Sequence, residues 1–506
     1  MTAPLTAADR PRVHHNVTFA VILLATTAYS MLQSLVTPVL PTIQASLHTT
    51  QTTVTWVLTA YLLSASIATP IVGRLGDMIG KKRVLVAVLV TLAIGTLLSA
   101  IATSIGLMIV ARVVQGAGGA ILPLSFGIIR DEFPREKVAM AVSTTAALLA
   151  VGGGLGIVLA GPIVDALNYH FLFWIPLILV AISAVAAQVV VPESPNRTPG
   201  RISPLPALLL TGWLVALLVA VSEGPDWGWG SGRTIGLIAV SVLLVPLWIL
   251  TEVRAAQPLV DMRMMRIPAV WTTNLVALLF GVGMYSIIAF LPEFLQTPAS
   301  AGYGFGASIT RSGLFLLPMT VTMFLFGLWS GRLAAQWGSK LVLVAGSALT
   351  AGSFVIVTLA HDEQWQVYLF STLIGAGLGF AFAAMSNIVV EAVPADQVGV
   401  ASGMNANIRT IGGSIGAAVM ASIVTSGARA DGLPAESGYT HGFAFLLASA
   451  VLACLAALAI PAVRTARAAA TASPADEPDG DAIGETVIVQ NPESAIVPGA
   501  PIAETE

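Results

Sequence analysis

The sequence predicts an all-α integral membrane protein with 14 transmembrane helices, in two pseudo-symmetric six-helix bundles plus two extra helices. Three observations lead there. The 506 residues are 56% hydrophobic and only 10% charged, with a mean hydropathy of +0.87. Soluble proteins average about 25% charged, so too few charges remain for a water-facing surface. Second, one short segment occurs twice between long apolar runs: Gly73–Lys82 (GRLGDMIGKK) and Gly331–Lys340 (GRLAAQWGSK), 258 residues apart. A second pair, Val151–Gly156 (VGGGLG) and Ile411–Gly416 (IGGSIG), lies 260 apart, so one half is a diverged copy of the other. Fused repeats of membrane helices are the common build of a secondary transporter. Third, the basic residues alternate with the spans.

A membrane helix needs about 20 predominantly apolar residues. Fourteen stretches qualify: 17–38, 52–73, 84–104, 106–128, 140–164, 170–191, 204–222, 234–251, 269–291, 308–330, 340–360, 366–390, 400–425 and 441–463. The first is too long for a signal-peptide core and has no small-residue cleavage site behind it, so it is expected to stay. With the N-terminus inside, eighteen Arg and Lys fall in inside loops and tails, among them Arg74, Lys81, Lys82, Arg83, Arg130, Arg332 and Lys340. Outside loops hold three, Arg233, Arg311 and Arg429, and Arg112 and Arg409 lie within spans. This obeys the positive-inside rule with both termini cytoplasmic. A missed or extra helix would scramble the alternation.

The expected organisation follows. Residues 1–16 form a cytoplasmic N-terminal segment, 17–191 the first bundle, 192–268 a linker with two extra transmembrane helices, and 269–463 the second bundle. Residues 464–506 form an acidic cytoplasmic tail, expected to be disordered for want of apolar periodicity. From residue 468 onward the chain holds eight acids and no base, so the remainder carries +5 although the whole carries −3. Cys454 is the sole cysteine, which excludes an intrachain disulfide. The excess of Arg over Lys, with abundant Ala and Gly, points to a high-GC bacterial genome and hence the bacterial inner (plasma) membrane.

Several motifs stand in order along this frame. Gly73-x-Leu75-x-Asp77-x-x-Gly80-x-Lys82-Arg83 joins spans 2 and 3, preceded by Trp56, Thr59, Tyr61 and Pro70. Arg112-x-x-Gln115-Gly116-x-Gly118-Gly119-Ala120 lies in span 4, and Gly224–Trp229 (GPDWGW) sits between the two extra spans. Together they resemble the major facilitator superfamily, in particular its fourteen-span drug:proton antiporter branch, over roughly residues 17–463. That resemblance implies the major facilitator fold, export of small amphipathic molecules or drugs, alternating access and proton antiport. It implies gating or coupling roles for Gly73, Asp77, Gly80, Arg112, Gln115 and Gly116. By analogy Asp77 docks at the inner N-terminus of span 13, where the helix dipole favours a carboxylate.

The residues carry bland readings beside these. The loop also serves as a topology anchor. Its second copy keeps Arg332 and Lys340 but has Ala335 in place of Asp77, so the carboxylate is used once and the anchor twice. Arg112 lies about six residues into span 4, roughly 9 Å deep at 1.5 Å per residue. A charge there is costly and marks function, unless the side chain snorkels to the headgroups. Arg409 lies deeper, in span 13. The span 5 glycines allow close helix contact; Gly156-Ile157-x-x-Ala160-Gly161 departs from the Gly-Pro-x-x-Gly-Gly of exporters in that family. No Lys-Ser/Thr follows, which excludes a phosphate-binding loop.

The branch usually places an acid in span 1; here Leu32 holds that position, with Gln33 and Ser34 beside it. Acids stand only at span ends, so Asp165, Glu223 and Glu293 are the candidate proton carriers. Gln33, Gln115, Tyr285, Asn387 and Asn405 are candidates for a substrate cavity, with Met284, Met319 and Met323 as a soft apolar wall. Each reads equally as a helix–helix contact.

An exporter driven by the proton gradient, with no cofactor, is the expected function. Its partners are a small amphipathic substrate and the lipid bilayer, without nucleic acid, and it is expected to be a monomer. Alternatives are an exporter of an endogenous lipid or secondary metabolite, a membrane-embedded enzyme, and a sensor. The six histidines lack metal-ligand spacing within a helix, and no folded soluble domain is evident.

Overall fold

The computed structural model describes residues 15–194, 203–255, 258–260, 262–393, 398–426 and 433–461. The expected tail 464–506 and nearly all of segment 1–16 lie outside the described residues. Fourteen long helices follow one another: α1 (His15–Ser46), α2 (Gln51–Ile79), α3 (Lys81–Ala100), α4 (Ile105–Glu132), α5 (Arg135–Ala166), α6 (Phe171–Val190) and α7 (Pro204–Trp227). Then come α8 (Gly232–Arg254), α9 (Pro268–Gln296), α10 (Ile309–Trp337), α11 (Ser339–Leu359), α12 (Gln364–Ala392), α13 (Val398–Thr425) and α14 (Glu436–Ala459). Thirteen are long and apolar enough to cross a membrane over their described residues; α5 contributes the shorter apolar stretch Gly152–Ala166. Each coincides with an expected span. Fourteen crossings put both ends of the helical body on one face, called proximal below; the other face is distal.

The helices overrun the apolar belts that predict them, and this corrects the reading of the repeated segment. It is not a loop. α2 runs through Gly73 and Gly76 to Ile79, and α10 runs through Gly331 to Trp337. A single residue turns the chain in each copy: Gly80 at φ +116° and Gly338 at φ +83°. L side chains rarely adopt that region. Gly73 and Gly331 have open space where a side chain would stand, so neither is required by a turn. The GPDW of the expected outside turn is likewise the last turn of α7, and the chain reverses at Gly228, φ +86°.

Two helices break within the membrane body. α1 passes through a 3-10 turn at Thr37–Val39, where Pro38 and Pro41 remove backbone donors. α4 tightens to a 3-10 turn at Gly116–Ala120 (GAGGA). There its backbone presses on α2; a Cβ on Gly116 would stand 2.8 Å from Ala65 N.

In the first bundle α1 packs on α5 and α6, and α3 packs on α4 and α6; in the second, α9 packs on α13 and α14, and α12 on α10 and α11. The second glycine repeat lies at two of these contacts. A Cβ on Gly156 of α5 would stand 2.7 Å from the Met31 carbonyl of α1, and one on Gly416 of α13 would stand 2.7 Å from the Val282 carbonyl of α9. Without a hydrophobic driving force between helices in the bilayer, such backbone approach supplies the packing. The bundles meet through α5 against α10 and α2 against α13. α7 lies over the second of these seams, with Leu210, Leu214 and Leu218 buried against Leu63 of α2 and Ala418 of α13. α8 packs on α7 and turns Val242, Leu243 and Leu247 outward, as lipid contact demands.

Candidate functional site

Three places gather the residues singled out by the sequence: the centre of the bundle interface, its distal rim and the proximal ends of α2 to α4. At the centre, α4 sets Arg112 and Gln115 three apart, on one face. Arg112 is the largest fully buried side chain among the described residues. It therefore does not snorkel. Its Nε donates to Val57 O of α2 at 2.8 Å, its Nη1 donates to Gln115 Oε1 at 2.6 Å, and its guanidinium lies 4.3 Å from the Tyr61 ring centre. Nη2 has no hydrogen-bond partner. Gln115 Nε2 donates to Ser99 Oγ of α3 at 3.0 Å. Gln115 is thus consumed inside the first bundle and lines no cavity, because both ends of its amide have partners. Gly116 shapes the α4 turn described above.

From the other bundle comes Arg409 of α13, its guanidinium 4.6 Å from the Phe382 ring centre and its Nε buried without a partner. Part of its surface stays open, although protein surrounds it. Tyr29 of α1 lies within electrostatic reach of both arginines, of Tyr61 and of Tyr285. Of the other cavity candidates, Gln33, Tyr285 and Asn387 are half-buried. Tyr285 packs on Gly413 of α13. Asn405 departs from expectation: its Nδ2 donates to Asn274 Oδ1 at 2.9 Å, both side chains buried, which makes it a cross-link between α13 and α9. Met319 is buried, while Met284 and Met323 are partly so.

At the distal rim the three candidate carboxylates occupy different settings. Asp165 is exposed and accepts from Thr310 Oγ1 at 2.6 Å, across the α5–α10 seam. Glu223 accepts from Trp56 Nε1 at 3.0 Å, joining α7 to α2. Glu293 is only 9% exposed. It accepts from Gln51 Nε2 of the first bundle at 2.8 Å and from Tyr439 Oη of its own bundle at 2.7 Å. Beside it Gln296 Nε2 donates to Pro38 O at 2.7 Å, in the broken part of α1. The bundles are therefore pinned together distally, and one buried carboxylate sits in the pin.

At the proximal ends, Asp77 is half-buried and makes no hydrogen bond among the described residues. The approach to its expected dock at the start of α13, residues 394–397, lies outside the described residues. Lys81 is fixed instead by Asp131 of α4 at 2.5 Å, with side-chain exposures of 4% and 1%, and Ser194 bonds the same carboxylate. Arg83 pairs with Glu193 at 3.2 Å. His361, Asp362 and Glu436 group on the distal face closely enough to hold a metal ion. His361 Nδ1 is engaged with Val357 O at 2.8 Å, and its Nε2 faces Glu436 Oε1 at 3.4 Å.

The family model described as Major Facilitator Superfamily matches residues 22–417 and 273–491. The chain belongs to the major facilitator superfamily. It is a multi-pass membrane transporter and not an enzyme. It is 28% identical to the tetracenomycin C resistance and export protein of Streptomyces glaucescens, over 76% of this chain and 71% of that one. It is 31% identical to the methylenomycin A resistance protein of Streptomyces coelicolor, over 80% and 85%. A crystal structure of an auto-inhibited POT family peptide transporter shares the fold, with a TM-score of 0.63 at 16% identity over 88% of this chain and 96% of that one.

In this facilitator, sequence reasoning missed Gln51, Tyr439 and Tyr29. All three are polar residues near apolar stretches, and nothing local distinguishes them from helix-packing side chains. The one usable signal was Glu293 itself: an acid directly before the Phe-Leu-Gln end of a span requires donors.

Proposed function

We propose that this facilitator exports small amphipathic molecules across the bacterial plasma membrane by alternating access, driven by inward proton flow, with the proximal face and both termini cytoplasmic. The single observation that carries the coupling is the position of Glu293, buried and hydrogen-bonded across the bundle boundary. The relatives' names, which speak of resistance and export, support the direction of transport. The positive-inside asymmetry supports the orientation. No cofactor enters this reading, and one chain holds both bundles, which favours a monomer.

Ionised, the Glu293 carboxylate accepts from two donors at once, and such charge-assisted bonds are the stronger kind. Protonated, the carboxyl loses the charge that strengthens both bonds, and a proton facing Gln51 Nε2 meets a group that can only donate. The distal pin then loosens. Antiport requires that the empty, unprotonated carrier not cross, since that crossing is a leak. An ionised Glu293 holds the empty carrier distally closed, and either a proton or a substrate's binding energy releases it. Asp165 and Glu223 lack this arrangement: one is exposed, and the other lies on the extra helix α7 and joins it to α2 rather than one bundle to the other.

Inside-out vesicles energised by respiration test the reading. Addition of an exported compound is expected to collapse the pH gradient only where the protein is present. In Glu293→Gln that collapse is expected to vanish while substrate–substrate exchange without a gradient persists. Loss of exchange as well would make Glu293 a structural residue, and an unchanged collapse would move the carrier elsewhere. A narrower reading, export of one secondary metabolite, is favoured by relatives named for single antibiotics; a response to one compound class in a broad panel would select it.

A further inference from the structure

We propose that the centre of the bundle interface is an anion site, built by Arg112 and Arg409, that takes the carboxylate of an amphipathic aromatic acid. The proposal rests on the transport reading only in placing the substrate at this interface.

The argument starts from charge balance. Two guanidinium groups, one from each bundle, stand within the membrane body, and neither has a carboxylate partner. The ion pairs among the described residues are Lys81–Asp131, Arg83–Glu193 and His361–Glu436, all at helix ends. Every acid of the described spans lies toward an end, as Asp77, Asp131, Asp165, Glu223, Glu252, Glu293 and Glu391 do. A buried charge without a counter-ion is retained only where something offsets its desolvation. Hydrogen bonds to Val57 O and Gln115 Oε1 and the Tyr61 ring do part of this for Arg112. They leave Nη2 of Arg112 and Nε of Arg409 as buried donors without acceptors.

Orphaned donors on two arginines, both within electrostatic reach of Tyr29, want an acceptor with more than one oxygen. A carboxylate supplies two and matches the planar fork of guanidinium. The walls suit the rest of such a molecule. The Tyr61 ring lies 4.3 Å from the Arg112 guanidinium and the Phe382 ring 4.6 Å from that of Arg409, with Tyr29 and Tyr285 within electrostatic reach. A cationic drug would meet two like charges and no acid, so this centre selects against it. Because the arginines belong to different bundles, an anion held by both ties the moving halves together. Its binding energy is then available to shift their equilibrium.

The test measures binding to the purified full-length protein in nanodiscs, by calorimetry, without any gradient. The probes are matched triplets on naphthyl, anthracenyl and tetracyclic aromatic bodies, each as the carboxylate, the neutral primary amide and the amine. The carboxylate is expected to bind at least about tenfold tighter than its amide, as charge-assisted bonds to two guanidiniums require, with the amine weakest. Arg409→Gln is expected to erase that preference. Arg112→Lys, which keeps the charge but loses the fork, is expected to reduce it, and guards against a misfolded Arg112→Gln. No carboxylate preference on any scaffold, or a preference that survives Arg409→Gln, overturns the proposal. Failure of export in vesicles would sink the transport reading without touching this measurement. Export of an amine would do the reverse.

Discussion

The two bundles repeat each other in packing and divide the polar chemistry between them. α5 meets α1, and α13 meets α9, through glycines whose Cβ positions would stand at the same 2.7 Å from a carbonyl. At the ends the copies part. The first bundle carries the proximal polar cluster, where Lys81, Asp131 and Ser194 are buried together and Arg83 meets Glu193. Its counterpart in the second bundle is a Ser339–Glu391 hydrogen bond of 3.2 Å, with Glu391 exposed. Distally the weight reverses: Glu293 and Tyr439 and the His361–Glu436 contact all belong to the second bundle. Duplication preserved what backbone contact demands, and let each copy concentrate its buried charges at a different face among the described residues.

The largest effect that would break this comparison is at Asp131. Asp131→Asn leaves Lys81 buried and charged without its partner, and is expected to cost about 3 kcal/mol of stability. Glu391→Gln, at the matching place, is expected to stay within about 0.5 kcal/mol, as exposed sites do. Thermal unfolding of both variants in one detergent checks the pair; equal shifts would erase the asymmetry.

A functional contrast comes next. Asp77→Asn is expected to slow transport about tenfold, the worth of one charge-assisted hydrogen bond made in a single state, with membrane insertion unchanged. Ala335→Asp is expected to be mild. Transport assays alongside surface-level quantification separate the two, and equal loss would return Asp77 to an anchoring role.

The smallest contrast lies at the two turns. Gly80→Ala and Gly338→Ala both force a side chain into positive φ, at about 1 kcal/mol each. Gly80 has the Glu193 carboxylate against it and Gly338 has open space, so Gly80→Ala is expected to melt a few degrees lower. A reversed order would show that Glu193 moves aside freely.

Much of this fold was legible because membrane helices advertise themselves. Twenty apolar residues and a basic loop are local signals, and the doubled segment exposed the repeat. The helix ends were not, since α2 and α10 continue past the apolar belt in polar but helix-compatible sequence. The site was legible in part. Arg112 and Arg409 stood out as charges inside spans, and Glu293 as an acid near an end. Their partners did not, because Gln51 and Tyr439 meet Glu293 from 242 and 146 residues away. Gln115 and Asn405 looked like cavity residues, yet hydrogen bonds to Ser99 and Asn274 occupy them. Periodicity reports which face of a helix is buried, but not whether its polar groups meet a neighbour or an open space.

The seat of α7 has one more consequence. Its leucines roof the α2–α13 seam, and its carbonyl at Val221 and carboxylate at Glu223 take bonds from Ser422 and Trp56 on either side. Among the described residues no helix covers the α5–α10 seam in this way, and Leu155 and Leu159 of α5 and Leu314 and Leu317 of α10 are exposed. A twelve-helix body would present two side doors to the bilayer. In this one α7 covers the first, and the α5–α10 seam is left facing the lipid among the described residues.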